Sequence, residues 1–331
     1  MKLTEQEIEI LKQNFNKKTL KQIMSLMPRP MVYSRFRIAT NKLGFKRDVS
    51  KVKIPKSSTY DLEFWQKPNL LNCYFAGHIA SDGCLMKNRS GYRLSIFTAG
   101  KDEIIIDNYI KFLNYKGKKE KGNNRGFSSE KKDLPYCKIV FCSFDKNAEY
   151  LKQYFNIEPR KTERLGPTNL NNKYLNLAYF IGLIDGDGSI FSSIAKKDGY
   201  KNIQISCCSC SKPIVEWLRD LLNNNFPSIN YSNRIAADLS FHKINKVWSF
   251  GLNGLRAAVI INYLRQFPVP KLARKWDNPE VLAFIEEKKR QYPELFIEPD
   301  PAELAALMPA TAIAVPPVKD EYLPPISLPP L

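Results

Sequence analysis

Two acidic residues end two similar apolar stretches of the sequence. The first stretch is NCYFAGHIASDG at residues 72–83, and Asp82 stands just before its final glycine. The second is NLAYFIGLIDGDG at residues 176–188, and Asp187 stands just before its final glycine. The two aspartates are 105 residues apart, so the stretches are interpreted as two copies of one element. Each is typical of a buried helix that ends at a glycine. A carboxylate at a helix C-terminus faces an unfavourable dipole, and two converging carboxylates could hold divalent cations that activate water for phosphodiester cleavage.

Small residues one turn apart lie on one face of each predicted helix. They are Gly77 and Ser81 in the first copy, and Gly182 and Gly186 in the second. Small side chains let two helix backbones approach closely, so we predict that each helix packs against the other and brings the two aspartates to one centre. A single Asp-Gly pair after a helix would indicate a plain turn, whereas two copies in matched surroundings favour a shared metal site.

The segments that follow each copy have the same order of elements. After the first, the patterns predict strands up to residue 86 and at 92–98, a helix at 101–113, a strand at 136–141 and a helix at 145–155. After the second, they predict strands at 189–195 and 201–208, a helix at 212–223, strands near 229–235 and at 247–252, and a helix at 255–264. No short β-α alternation occurs, so antiparallel sheets are expected. The predicted fold class is α+β, with two pseudo-symmetric αββαββα halves around a central two-helix interface.

A small all-α unit is expected before the first half. Residues 1–48 predict three short helices, and Arg35, Arg37 and Lys42 on the third suit a helix-turn-helix unit that contacts DNA. A three-helix scaffold without groove contact is the alternative. The remaining predicted segments are a basic linker at 49–61, the two halves at 62–165 and 166–298, and a proline- and alanine-rich tail at 299–331. The tail is expected to be disordered, although residues 302–307 could form a short helix.

The charge of the chain is strongly positive. Lys and Arg number 51 against 33 Asp and Glu, a formal net charge of +18 over 331 residues. This excess favours polyanionic partners, nucleic acid before anionic membrane, with a merely solvated basic surface as the alternative. No stretch reaches the ~18–20 apolar residues of a membrane span, and the N-terminus lacks the apolar region of a secretory signal. We therefore expect a protein of the cytoplasm or an organelle matrix that is not secreted.

Seven cysteines, an odd number, indicate free thiols in a reducing compartment. Cys207, Cys208 and Cys210 form a cluster that could be considered for zinc. They lack a second cysteine pair nearby and follow a predicted strand, so packing is the better interpretation.

The two apolar stretches resemble the LAGLIDADG motifs of homing endonucleases. FIGLIDGDG at residues 180–188 is a close match and FAGHIASDG at residues 75–83 is a looser one, and the resemblance extends over residues 62–278. The resemblance implies that two antiparallel sheets form a saddle on DNA. It also implies that the acid before each final glycine binds Mg²⁺, and that a basic residue after the last helix of each half balances charge on the scissile phosphates. The matching residues are Asp82 and Asp187 with Gly83 and Gly188 for the metal, and Lys161 and Lys275, preferred over Arg160 and Lys271, for the phosphates.

The first copy departs from the second at two positions. Ala80 stands where the second copy has Asp185, and His78 stands where it has Leu183. The metal-binding position itself is intact, so the departure weakens the support of the helix end more than it threatens the chemistry. We interpret His78 as an interface or core residue rather than a general base.

Alternating strands predict a polar face for DNA contact. In the second half Asn202, Gln204 and Ser206 alternate with apolar residues, and Ser193 lies on the strand before them. In the first half Arg93 and Ser95 alternate in the same way. Amide and guanidinium groups suit adenine and guanine edges in the major groove. The lysine-rich hairpin stretch at 116–132 is expected to be a loop that contacts phosphates or is flexible, rather than one that reads bases.

The sequence thus predicts a monomeric endonuclease that uses Mg²⁺ to cut both strands of a long double-stranded DNA site. The resemblance implies an origin in an intron or a free-standing mobile element. One alternative is a maturase that binds intron RNA and assists splicing, and another is a non-catalytic DNA-binding regulator on the same fold.

Overall fold

The computed structural model describes residues 3–15, 20–45, 60–89, 91–124, 134–194, 201–226 and 239–309. The chain divides into two compact units, Met1–Ser57 and Ser58–Leu331. The segments predicted as a basic linker at 49–59, the strand near 229–235 and the tail beyond 309 lie outside the described residues.

The first unit contains three helices: α1 (Glu5–Asn14), α2 (Leu20–Met24) and α3 (Tyr33–Lys42). The Thr4 side chain caps α1 together with Glu7. Glu7 is fully buried and forms an ion pair with Arg29 at 2.7 Å, which lowers the pKa of its carboxyl. A separate apolar core closes the unit; its fully or nearly buried members are Leu11, Phe15, Ile23, Met27 and Phe36.

The second unit has the duplicated order that the sequence predicts. The first half runs α4 (Leu70–Asp82), β1 (Gly83–Asn88), β2 (Gly91–Ala99), α5 (Glu103–Phe112), β3 (Glu120–Asn124), β4 (Leu134–Phe141) and α6 (Asp145–Phe155). The second half runs α7 (Lys173–Gly186), β5 (Ser189–Ile194), β6 (Lys201–Ser209), α8 (Lys212–Asn225), β7 (Ser240–His242), β8 (Val247–Asn253) and α9 (Leu255–Arg265). The helices α10 (Ala273–Trp276), α11 (Pro279–Gln291) and α12 (Pro301–Ala306) follow.

Each half builds one four-stranded antiparallel sheet. The strand orders are β1-β2-β4-β3 and β5-β6-β8-β7, so the two sheets repeat one topology. Helices α5 and α6 cover one face of the first sheet, and α8 and α9 cover the corresponding face of the second. The prediction of an α+β fold with two antiparallel sheets is confirmed. No helix among the described residues is long and apolar enough to span a membrane.

The helices α4 and α7 lie against each other at the centre of this unit. A Cβ atom added at Gly77 would lie 1.9 Å from the backbone oxygen of Tyr179, and one added at Gly182 would lie 1.9 Å from that of Tyr74. One turn further on, a Cβ atom at Gly186 would lie 1.8 Å from Ser81 Oγ. Only residues as small as these let the two backbones approach to this distance.

Two elements differ from the sequence prediction. Part of the lysine-rich hairpin is not a loop, because residues 120–124 form β3 and pair with β4. Residues 299–309 also correct the expectation of a disordered tail. Pro301 opens α12 behind the cap of Asp300, Leu304 is buried, and the backbone oxygen of Leu307 accepts a hydrogen bond from the amide of Leu70 at the start of α4.

Candidate metal and nucleic-acid site

The two aspartates lie where the paired helices end. Asp82 is the last residue of α4, and Asp187 is the C-terminal cap of α7. A Cβ atom at Gly186 would lie 3.3 Å from Asp82 Oδ2, so the carboxylate of the first copy borders the helix end of the second. Burial, reinforced by the charge of Asp187, raises the pKa of Asp82 to about 6. Burial also raises the pKa of Asp187. The arrangement holds two partly desolvated carboxyl groups that a cation would stabilise in their ionised form.

Lys161 and Lys275 lie at this centre, but not as free phosphate partners. Lys161 Nζ donates to the backbone oxygens of Ala80 and Ser81 at the end of α4. Lys275 is 5 % exposed, and its Nζ lies within 2.7–3.3 Å of four backbone oxygens at the end of α7. One of these is the oxygen of Gly188, at 2.8 Å. Each lysine therefore caps one central helix and compensates the negative end of its dipole.

The role that the resemblance implies for both lysines, to balance charge on the scissile phosphates, stays a prediction. Their ammonium hydrogens are engaged with carbonyls, so the two side chains act on the acids through charge. Both lysines oppose the rise in the pKa of Asp82 and of Asp187. Burial lowers the pKa of each lysine itself. The sequence could place a lysine after the last helix of each half, but it could not show that the ammonium folds back onto a helix some 80–90 positions earlier.

A hydrogen-bond network supports the end of α7 and has no equivalent at α4. Asp185 is 2 % exposed; its Oδ2 accepts from Tyr74 Oη at 2.9 Å and from the amide of Leu272 at 3.0 Å, and its Oδ1 accepts from Trp276 Nε1 at 2.7 Å. Burial raises the pKa of Asp185 to about 6, although the hydrogen bond from Trp276 opposes the rise. This network fixes the turn that presents Asp187.

The first copy lacks the acid that would complete the same network. Tyr179 occupies the position of Tyr74 in the duplicated motif, and Ala80 stands in place of Asp185. Within the described part of the chain, Tyr179 Oη is buried without a hydrogen-bond partner. The substitution to alanine has therefore left a buried hydroxyl unsatisfied.

His78 is fully buried one turn before Asp82 on α4. Its Nδ1 lies 3.3 Å from Tyr109 Oη, and that hydroxyl is itself 3.1 Å from the backbone oxygen of Phe75. On its other side, Nε2 lies 3.4 Å from Asp82 Oδ2 without the alignment of a hydrogen bond. Burial lowers the pKa of His78 to about 3, and the charge of Lys275 acts in the same direction. The imidazole is thus neutral and directly borders the candidate metal-binding carboxylate.

An ion pair joins the two halves beside the centre. Arg274, just before the capping Lys275, donates from Nε and Nη2 to the two carboxylate oxygens of Asp102 at 2.5 and 2.7 Å. Asp102 stands immediately before α5 and is 8 % exposed. The two-point geometry fixes the orientation of both groups, which an isolated surface pair does not do. Sequence reasoning missed this contact because its partners are 172 positions apart.

The uncovered face of the second sheet carries the predicted polar side chains together with Phe191 on β5, which is 40 % exposed and pairs in register with Gln204. Asn202, Gln204 and Ser206 on β6 are half-buried and alternate with residues of the core. Ser193 is exposed on β5 and pairs in register with Asn202. The Gln204 amide lies over Gly251, where a Cβ atom would approach Nε2 to 2.9 Å, so the glycine makes room for this side chain. The face offers several hydrogen-bonding groups in adjacent rows.

The uncovered face of the first sheet differs from the expectation. Ser95 is 6 % exposed, because neighbours on β1 and β4 flank it, and its Oγ is buried. Arg93 is half-buried. The accessible group is instead Phe97, which is 39 % exposed and stacks on Tyr136 with ring centroids 4.9 Å apart. Phe97 is in phase with Arg93 and Ser95 along β2, so the alternation could have revealed it.

The third helix of the first unit exposes the basic residues that the sequence singled out. Arg35, Arg37 and Lys42 are all exposed on α3, whereas Phe36 is fully buried in that unit's core. The helix also exposes Ile38, at 54 %. A basic, partly apolar surface of this kind is available for contact with nucleic acid.

The residues at the centre fit a hard divalent cation such as Mg²⁺ better than they fit a structural Zn²⁺ site. Two carboxylates with an orphaned buried imidazole nitrogen beside them supply donors for a cation that keeps water or phosphate oxygens as further ligands. No group of three or more His, Cys, Asp or Glu side chains converges on one point in the described residues. Cys207 is buried in the core, and Cys208 Sγ donates to the backbone oxygen of Asp187 at 3.3 Å.

Comparison with known proteins gives similarity of structure but not of sequence. No protein-family model matches the chain, and no curated protein matches it significantly. The chain is similar to I-SmaMI bound to uncleaved DNA target with calcium ions, at 14 % identity and a TM-score of 0.43, over 73 % of this chain and 98 % of that one. It is also similar to the LAGLIDADG meganuclease I-AabMI bound to uncleaved DNA, at 10 % identity and a TM-score of 0.42, over 71 % and 96 % of the two chains.

A third similar structure is the LAGLIDADG homing endonuclease I-GzeII in complex with its DNA target. Identity is 12 % and the TM-score is 0.41, over 72 % of this chain and 99 % of that one.

Proposed function

We propose that this chain is a metal-dependent endonuclease that cuts both strands of a long double-stranded DNA site as a monomer. The observation that carries the proposal is the meeting of Asp82 and Asp187 at the ends of two helices in glycine-mediated contact. Burial raises the pKa of both carboxyl groups, so their ionised forms need a positive partner. Carboxylates in such a setting suit Mg²⁺, which retains water and phosphate oxygens as its other ligands.

The proposed roles of the surrounding residues follow from their contacts. Asp82 and Asp187 would each hold a divalent metal ion, and these ions when bound would supply an activated water and neutralise charge on the scissile phosphate. Lys161 and Lys275 cap the two helices and reduce the repulsion between the acids. Asp185 and its three donors fix the end of α7.

The proposed DNA surface is the pair of uncovered sheet faces. On the second sheet, the amides of Asn202 and Gln204 can read adenine edges in the major groove. On the first, Phe97 offers an apolar edge suited to a thymine methyl group. The net charge of +18 supplies the sequence-independent attraction to phosphates. We also propose that Arg35, Arg37 and Lys42 contact DNA that flanks the cleaved site.

Cleavage selection tests the proposal. The full chain is incubated with a randomised library, and with the gene's own flanking DNA closed across the insertion point, in Mg²⁺ or in Ca²⁺. We expect the wild type to cut both strands of selected sites in Mg²⁺ and to bind them without cutting in Ca²⁺. Asp82→Asn and Asp187→Asn should each bind without double-strand cleavage.

Asp220→Asn is the matched control, because this aspartate is exposed and its ion-pair partner in the described part of the chain is the neighbouring Arg219. It should cut like the wild type. Binding without cutting by the wild type in Mg²⁺ would contradict the nuclease and favour a regulator. Splicing of an intron RNA that both asparagine variants still assist would favour the maturase.

A further inference from the structure

One buried nitrogen beside the centre has no partner in the described residues. It is Nε2 of His78, which has no accessible surface and makes no hydrogen bond. Its nearest charged neighbour is Oδ2 of Asp82, at 3.4 Å. An unpaired buried polar atom costs about 1–3 kcal/mol, so a position that keeps one calls for an explanation.

The hydrogen bonds on the other side of the ring fix its tautomer. Tyr109 has a single hydroxyl proton, and Oη lies 3.1 Å from the backbone oxygen of Phe75, which can only accept. When Tyr109 Oη donates to that oxygen, it accepts from His78, which places the imidazole proton on Nδ1. Nε2 is left with a lone pair.

That lone pair lies close to a carboxylate, Oδ2 of Asp82 at 3.4 Å, without pointing straight at it. Two electron-rich atoms that lie this close together in a buried setting repel, unless a positive species lies between them. The separation of 3.4 Å is within the span of two ligands on one divalent ion, because metal–ligand bonds of ~2.1 Å allow ligand atoms up to ~4.2 Å apart. The two residues are also four positions apart on α4, a spacing that puts both side chains on one helix face.

We propose that His78 Nε2 is a ligand of the divalent cation held by Asp82, which makes the first of the two metal positions a nitrogen–oxygen site. This inference rests on the proposed function for the presence of a cation at Asp82. The second copy has Leu183 at the equivalent position, so the cation at Asp187 lacks a nitrogen ligand from that side. The two positions therefore differ in chemistry. Imidazole favours Co²⁺, Ni²⁺ and Zn²⁺, whereas carboxylates with water favour Mg²⁺.

Co²⁺ binding to the full chain tests the proposal without requiring cleavage. If Co²⁺ binds Nε2, the proton on Nδ1 of the same ring should give a strongly shifted NMR signal in H₂O that disappears in D₂O. The chain has only two histidines, His78 and His242, so labelling histidine with ¹⁵N identifies the signal. His242 is exposed on β7 and provides the matched control.

The variants give the expected pattern. His78→Leu copies the second motif, and we expect it to remove the shifted signal and to weaken Co²⁺ binding at least about tenfold, or about 1.4 kcal/mol. Mg²⁺ affinity should change less. His242→Asn should keep both the signal and the affinity. The labelled wild type gives its answer without any substitution, so a loss of folding in His78→Leu does not leave the question open.

The outcomes separate this inference from the proposed function. Co²⁺ bound at a site that Asp82→Asn abolishes, but without a shifted histidine proton, would overturn the role of His78 and leave the metal site standing. A shifted signal that His242→Asn removes would also overturn it. Failure of the wild type to bind Co²⁺, Mg²⁺ or Ca²⁺ at all would overturn both.

Discussion

Replacing Tyr74 and Tyr179 separately by phenylalanine should change the free energy of unfolding in opposite directions. The two tyrosines occupy the same position in the duplicated helices, and both are fully buried. Tyr74 Oη donates to the buried carboxylate of Asp185 at 2.9 Å. Tyr179 Oη is buried without a partner among the residues that the structure describes. One chemical change therefore removes a hydrogen bond in one helix and an unsatisfied hydroxyl in the other.

The size of each effect follows from the partners that remain. Tyr74→Phe removes one of three donors to an ionised group, which should cost about 1.5–3 kcal/mol. Tyr179→Phe removes a buried hydroxyl that gains nothing, so we expect a change between zero and about 1 kcal/mol of stabilisation. The two variants should thus differ by about 1.5–4 kcal/mol, which is about 3–16 °C in Tm for a unit of this size.

Thermal and urea unfolding of the full chain measure the difference at pH 7.5. Because the pKa of Asp185 is raised to about 6, its carboxylate is ionised at that pH and protonated at pH 5. The cost of Tyr74→Phe should therefore shrink at pH 5, and the effect of Tyr179→Phe should not change. Equal effects of the two variants at pH 7.5, within about 0.5 kcal/mol, would refute this reasoning.

Three further changes test the centre and its supports. Gly182→Ala should destabilise the protein by about 3 kcal/mol or more in urea unfolding, because the added Cβ would lie 1.9 Å from a backbone oxygen of α4. Gly166→Ala is the control and should be nearly neutral, because no atom lies within 4 Å of its added Cβ. In EDTA, the raised pKa of Asp82 should lower the stability of the wild type as pH rises from about 4 to 6, because the folded state binds more protons than the unfolded state in this range. Asp82→Asn should flatten this dependence of stability on pH, and an unchanged dependence in that variant would count against the raised pKa of Asp82. Arg274→Lys should cost about 1–3 kcal/mol in chemical unfolding, because lysine cannot make both hydrogen bonds to the buried Asp102; a neutral result would show that the two-point geometry is unimportant.

The elements that the sequence predicted best are those in which apolar residues recur at one regular spacing. The alternation around Ile203 and Ile205 gave β6, because these residues are in the core and their neighbours are not. The glycine-containing apolar stretches gave α4 and α7. In contrast, β3 has the sequence EKGNN, which carries no alternation, and it is a strand only because β4 pairs with it. Prolines led to the wrong expectation for residues 299–309, although Asp300 before Pro301 is itself a helix-start signal.

The candidate site was predictable to the level of its acids but not of its supports. Asp82 and Asp187 follow from the repeat alone, because the motif fixes their place at a helix end. The capping role of Lys275 depends on where a loop returns 87–91 positions after the carbonyls it binds. The orientation of His78 depends on a tyrosine 31 positions away. Contacts of this kind arise from the tertiary fold, and no local pattern encodes them.

The contact between Leu70 and Leu307 means that α4 is synthesised long before the residue that its first amide binds. The amide that starts α4 is 237 positions ahead of the oxygen that it binds. At about 5–20 residues per second, a ribosome reaches that oxygen roughly 10–50 s after it has made the helix. Lys275 and Arg274 are also made after both acids. A nascent chain therefore carries both aspartates before it carries Arg274 and Lys275, and a product that ends before residue 274 lacks these two groups.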